Sequence, residues 1–220
     1  LKTNIRYLLL LLITIPSLGF TTDSNAPKSC PIRIQWVDTL QGDFSFTKNW
    51  NYPEGVYRND FGQLDCDGMC PDEIEAMKDS NGKIYPASLK RFYKLLDTTH
   101  QFHSIACEAW CYEWAGTDFI TSVKSDNNRI ICTTQTTAAT HCSLILEIIN
   151  DTCIPRIELT SIAAPGLKIY AGKSGSITID KTLWKKGIMK AEFNFDFNNT
   201  SEPGRKIFWK GKIHTLLVKE

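Results

Sequence analysis

Hydrophobic and polar positions alternate most cleanly near the C-terminus. Ala191, Phe193, Phe195 and Phe197 are interleaved with Lys190, Glu192, Asn194 and Asp196, the period of a strand with one buried and one wetted face. Pro203-Gly204 cannot continue a central strand, which places a chain reversal between Asn198 and Arg205. The returning segment, Lys206 to Val218, carries Ile207, Trp209, Gly211, Ile213 and Thr215 on one face. Phe193, Phe195, Ile207, Trp209 and Ile213 are therefore expected in the core, and His214 on the wetter face.

The same period recurs along the chain. Ile32, Ile34 and Trp36 alternate with Arg33 and Gln35, and Phe44 and Phe46 with Asp43, Ser45 and Thr47, so both stretches predict strands. Phe119 to Val123 and Arg129 to Thr133 flank a turn-forming Ser125-Asp126-Asn127-Asn128, and Cys142 to Ile149 and Cys153 to Leu159 flank Asn150-Asp151-Thr152. After Pro165-Gly166, two further short strands are expected at Leu167 to Tyr170 and Ser176 to Ile179.

Helical periodicity is confined to one stretch. Pro71, Asp72 and Glu73 have a first-turn composition, with Asn81-Gly82 as a stop. From Pro86 to about Thr98, Leu89, Phe92, Tyr93 and Leu96 share one face, opposite Lys90, Arg91 and Lys94. Between Phe102 and Gly116 the pattern fits a strand better than a helix. Ile105, Cys107, Ala109 and Cys111 then face one side, and Glu108, Trp110, Tyr112 and Trp114 the other. Eight or more short strands with one helical insert around 71–98 predict a mainly β protein, an antiparallel β-sandwich or barrel.

The N-terminus departs from this pattern. Lys2 and Arg6 precede an apolar run from Tyr7 to Phe20 with small Ser17 and Gly19 near its end, the order of a secretory signal peptide. The run is roughly 14 residues, short of the roughly 20 that span a bilayer. The expected organisation is a signal peptide over 1–19, a flexible lead-in over 20–29 and one disulfide-stabilised β-rich domain over 30–220. Removing Lys2 and Arg6, with no acid before Asp23, takes the formal charge from +1 to −1. A near-neutral domain has no electrostatic reason to seek nucleic acid, and no transmembrane segment is expected after cleavage.

All eight cysteines follow the expected cleavage point, which fits an oxidising destination: periplasm, cell surface or secretion. A hairpin centred on Thr137 would set Cys132 against Cys142, and the two Cys-x-x-x-Cys segments, Cys66/Cys70 and Cys107/Cys111, could cross-link to each other.

Candidate chemistry is sparse. His100, His103, Cys107 and Cys111 would form one stripe on a helix and hold zinc there, but thiolates in an exported chain favour disulfides, so no metal is expected. His141 and Cys142 are neighbours on a strand and point to opposite faces, so they make no catalytic pair. Gly166 to Ser174 has the wrong register for a phosphate loop. Asp65, Asp67, Asp72 and Glu73 lack the closing acid of a calcium loop. Asn150 and Asn199 match glycosylation acceptors. No cofactor is expected.

Two surfaces remain: the irregular loop 48–62, with Trp50, Tyr52 and Tyr57, and the strand 108–114, with Trp110, Tyr112 and Trp114. Their aromatics suit a carbohydrate or a protein surface, and the leading expectation is an exported binding or surface-interaction domain. The alternatives are an exported carbohydrate-active hydrolase using Glu108, Glu113 and Asp118, and a barrel carrying a small apolar ligand. Whether the protein is an enzyme is left open by the sequence.

Overall fold

The computed structural model describes residues 29–51, 56–58, 61, 64–66, 70, 72–95, 101–124, 129–163 and 165–219, so the expectations for 1–28 lie outside the described residues. In chain order the strands are β1 (Ile32–Arg33), β2 (Gln35–Val37), β3 (Trp50–Asn51), β4 (Val56–Arg58), β5 (Leu64–Cys66), β6 (Gln101–Phe102), β7 (Ile105–Trp110), β8 (Ile120–Lys124), β9 (Arg129–Thr134), β10 (Cys142–Ile149), β11 (Thr152–Thr160), β12 (Leu167–Asp180), β13 (Ile188–Phe197), β14 (Ile207–Leu216) and β15 (Val218–Lys219). The α-helices are α1 (Asp72–Glu75), α2 (Leu89–Leu95) and α3 (Lys181–Trp184).

One curled sheet carries the architecture, in the order β15-β8-β9-β10-β11-β12-β13-β14-β7. Every pairing in that path is antiparallel except β15 on β8. Strand β12 makes the corner. Its first half pairs with β11 and its second half with β13, with a register shift between Gly172 and Ser174. Glycine is needed on both sides of that shift. A Cβ on Gly172 would sit 2.6 Å from the Pro155 carbonyl oxygen, and Gly175, at φ +145°, would press one within 2.9 Å of the Phe195 ring. Where β11 and β12 part, β1 fills the edge of β11, and β2 pairs in parallel with the end of β12.

The two ends of the sheet also approach each other. The Asp118 carbonyl accepts from the amides of Ser104 and Ile105, joining the start of β7 to the approach to β8. Thr215 Oγ1 donates to the Ile120 carbonyl, and Ser122 Oγ to that of Leu216. The result is the expected β-rich class, a curled sheet consistent with a sandwich or half-barrel.

The C-terminal hairpin has the expected facing. Phe195 pairs with Trp209, Ala191 with Ile213 and Phe197 with Ile207. Phe193, Phe195, Ile207, Trp209 and Ile213 are all buried, Phe195 and Trp209 completely. Against them pack Leu144, Leu146, Ile148, Ile157 and Leu159 from β10 and β11. The inner face is thus occupied by the chain's own side chains.

Several local expectations are corrected. Residues 45–48 form a 3-10 helix, not a strand. The Asp43 carboxylate accepts from the Ser45 amide and Thr47 Oγ1 donates to the Phe44 carbonyl, so short side chains outcompete a ladder. Leu167 to Tyr170 and Ser176 to Ile179 belong to one bent strand rather than two. The helix expected over 86–98 begins as a 3-10 turn, Pro86–Ser88, and continues as the seven-residue α2. Phe92 on its stripe is buried, Leu89 is exposed, and the Tyr93 and Leu96 side chains lie outside the described residues.

The cysteine framework is corrected as well. The structure has one disulfide, Cys66–Cys70, closed within its own Cys-x-x-x-Cys segment rather than across to Cys107 and Cys111. Cys132 faces Leu146 across the β9–β10 ladder, while Cys142 faces Leu159 on β11. The reversal is therefore not centred on Thr137. Thr134 Oγ1 accepts from the Leu144 amide and Thr137 Oγ1 from the amides of Ala139 and Thr140, which lengthens the connection and shifts the register.

Candidate functional site

The strand expected over 102–114 ends as β7 at Trp110. Up to that point its facing is as anticipated: Ile105 and Ala109 point inward, Glu108 and Trp110 outward. Beyond it the chain turns, with Glu113 in the left-handed region at φ +54°. This turn separates the three aromatics. Trp114 packs edge-on against the buried Trp209, 5.8 Å between ring centres. Trp110 and Tyr112 stay together at the outer edge, 5.4 Å apart and edge-to-face.

Tyr112 stacks on Tyr170 of β12, with ring centres 5.9 Å apart, and its hydroxyl accepts from Asn199 Nδ2 at 3.0 Å. From the β13–β14 turn, Arg205 lays its guanidinium 4.4 Å over the Trp110 ring and 5.9 Å from that of Tyr112. Across the ladder Trp110 pairs with Phe208, whose ring is flanked by Lys206 and Lys210 at 5.8 and 5.6 Å. Each cation also has an acid within ion-pair reach: Glu202 for Arg205, Asp196 for Lys206 and Glu108 for Lys210. Burial raises the Tyr170 phenol to about 12, so it stays protonated. The edge is aromatic and ion-paired.

Tyr170, Asn199, Arg205 and Phe208 were not anticipated at this edge. Asn199 and Arg205 do flank the predicted turn, but nothing local says the turn folds onto β7. The amide of Asn199 is used internally, donating to Tyr112 and to the Arg205 carbonyl and accepting from Glu202. Between Asn150 and Asn199, it is Asn150, at the β10–β11 turn, that is exposed.

Of the other aromatic candidates, Trp50 lies away from this edge. Trp50 pairs with Phe102 on β6 and packs against the small core of the helical insert. Tyr52 and the side chain of Tyr57 lie outside the described residues.

The three candidate acids occupy three places. Glu108 lies on the outer face of β7 against Lys210. Glu113 accepts from Ser161 Oγ and the Ile162 amide, which hold its carboxyl below the usual range. Asp118 is at the opposite end of β7, accepting from Asn51 Nδ2 with His103 Nε2 at 3.8 Å. Paired glycosidase carboxylates flank one bond, whereas each of these three is engaged with a different partner.

His103, Cys107 and Cys111 do not gather into one group either. Burial pushes the His103 imidazole below its ordinary value, against the opposing pull of Asp118. Burial raises the Cys107 thiol to about 12, so it is no thiolate. Cys111 lies past the end of β7, and His100 is outside the described residues. Among the described residues, no group of three His, Cys, Asp or Glu side chains is placed to hold a metal.

Fold and edge together define a β-rich protein with one short-range disulfide and an aromatic–arginine edge. No family model, curated protein or solved structure matches the chain.

Proposed function

We propose that this is an exported binding domain that contacts a protein surface through the edge formed by Trp110, Tyr112, Arg205 and Phe208. The observation that carries the reading is the Arg205 guanidinium stacked on a half-buried Trp110, itself in contact with Tyr112. Trp, Tyr and Arg are the residues enriched at binding hot spots, because they offer large contact area with little entropy to lose. Tyr170, Asn199 and Glu202 pre-order these groups, which lowers the cost of binding. Export is supported by the signal-like order of residues 1–20 and by a cysteine-bearing chain that carries a disulfide. Among the described residues, no helix is long and apolar enough to cross a membrane.

The test displays the chain from residue 20 onward on two arrays, one of cell-surface and secreted proteins and one of glycans. A protein ligand is expected, with affinity reduced about 30-fold or more in Trp110→Ala and Arg205→Ala at unchanged melting temperature. Protein binding indifferent to both variants would overturn the reading. Glycan binding abolished by both would replace the protein partner with a carbohydrate. N-terminal sequencing of the mature chain tests export: a start near Phe20 is expected, and an intact Lys2 contradicts it.

A further inference from the structure

Cys111 lies between Trp110 and Tyr112, directly beneath the aromatic edge, and its thiol is buried in the sheet core. Cys142, at the start of β10, is completely buried in the same core. One backbone hydrogen bond and two through the Thr140 hydroxyl bring the segments together. The His141 amide donates to the Glu113 carbonyl at 2.8 Å. Thr140 Oγ1 accepts from the Ala115 amide at 3.0 Å and donates to the Gly116 carbonyl at 2.8 Å. The left-handed Glu113 turns the chain between them, and its carboxylate is tied to Ser161 and Ile162. Residues 111–116 are thus held to 140–142 and to 161–162 at several points.

We propose that Cys111 and Cys142 form a second disulfide in the oxidised protein, tying the strand that carries the aromatic edge to the start of β10. The other free cysteines have different neighbours, Cys132 and Cys153 including each other. Cys132 Sγ lies 3.5 Å from Met189 Sδ and faces Leu146 across the ladder. Cys107 Sγ points at the Thr117 carbonyl, 3.8 Å away. Cys153 lies opposite Ile148 on β10, and Cys30 is exposed beside Pro31. The thiol partner of Cys142 is Cys111. The Cys111 side chain, together with burial, drives the Cys142 thiol far above its ordinary pKa.

Burial of both thiols dictates when the bond closes. A thiolate is the reactive form, and the folded core suppresses it, so oxidation precedes complete burial. The oxidant is a disulfide donor of the glutathione class. One cysteine thiolate attacks a donor sulfur and expels one glutathione thiolate. The second cysteine then attacks the mixed disulfide and expels the other. The cysteines lose two protons and two electrons, and the donor becomes two glutathione thiols.

The experiment refolds the reduced chain from residue 20 onward in glutathione and glutathione disulfide. It is quenched with acid, alkylated in denaturant, and its unreduced peptides are mapped by mass spectrometry. A Cys111–Cys142 cross-linked peptide is expected beside Cys66–Cys70, and it should persist in Cys132→Ser. Alkylation of both Cys111 and Cys142 while Cys66–Cys70 is closed would overturn the proposal. So would linkage of either residue to another cysteine. No ligand is involved, so a failed linkage leaves the binding surface standing, and a failed binding screen leaves the linkage standing.

Discussion

The sheet core and the helical insert bury their apolar side chains by different means. Around Phe195, burial is a by-product of pairing: β13 is matched along its whole length to β14 and over most of it to β12. The alternating pattern delivers Phe193, Phe195 and Phe197 to one interior, with stacked and edge-on rings 5.2 and 6.5 Å apart. Among the described residues, the insert has no such ladder. Its core is Cys70, Ile74, Met77, Ile84 and Phe92, with Trp50 and Cys66 packed against it. It is assembled from a one-turn α1, a seven-residue α2 and one isolated bridge, Lys78 to Ile84. Helices of that length do not persist alone. Local fastenings compensate: the Cys66–Cys70 disulfide, the Arg91–Glu73 ion pair, and Lys78. Only 8 % of the Lys78 side chain is exposed, and its Nζ donates to Cys70 Sγ at 3.0 Å and to Glu75 at 3.2 Å. A long ladder makes burial collective, whereas a small core without one depends on individual links.

The largest effect should come from breaking the ladder side. Phe195→Asp places an unpaired charge where no solvent reaches. It also forfeits about 1.5–3 kcal/mol of burial, so no soluble folded protein is expected. Asn194→Asp, one position away on the exposed face, should express and melt like the wild type. Equal behaviour of the two variants, read by soluble yield and circular-dichroism melting, would refute the facing of β13.

Phe92→Ala breaks the other side. Truncating a buried Phe costs about 3–5 kcal/mol, and here the loss should stay local. Amide exchange should accelerate over 72–95 while β10 to β14 keep their protection. Simultaneous loss of protection in both regions would show one cooperative unit and erase the distinction.

A smaller effect is expected from the staple. The bonded cysteines are four residues apart, a short loop whose closure contributes roughly 2 kcal/mol. Cys66→Ser with Cys70→Ser should therefore raise exchange over 72–95 less than Phe92→Ala does. A larger effect would mean that the disulfide, not the apolar cluster, organises the insert.

The smallest effect touches neither core. Glu113 is held below its ordinary value of 4.5 by hydrogen bonds from Ser161 and the Ile162 amide. Because the folded pKa is the lower one, this contribution is complete above pH 4.5 and is lost as pH falls through the folded value. Exchange at Ile162 should rise on that acid limb, and Glu113→Gln should abolish the dependence. An unchanged pH profile in the variant would dissociate Glu113 from the turn.

The amino-acid order by itself determined the strands whose pattern is local and periodic. The β13–β14 hairpin, its turn at Pro203-Gly204 and its buried face follow from a period of two, which needs no knowledge of the partner. The same holds for β10, β11 and the inward side of β7. Short stretches depart from their period where a side chain competes with the ladder, as Asp43 and Thr47 do around Phe44. What the tertiary structure decided is whatever depends on where separate segments meet. Register across the 135–141 connection set Cys132 against Leu146 instead of Cys142. One left-handed residue, Glu113, sent Trp114 inward and left Trp110 and Tyr112 at the edge. The fold of the 198–205 turn brought Asn199 and Arg205 onto them from nearly a hundred residues away. Such contacts are sums over many long-range pairings, and no short window of sequence contains them.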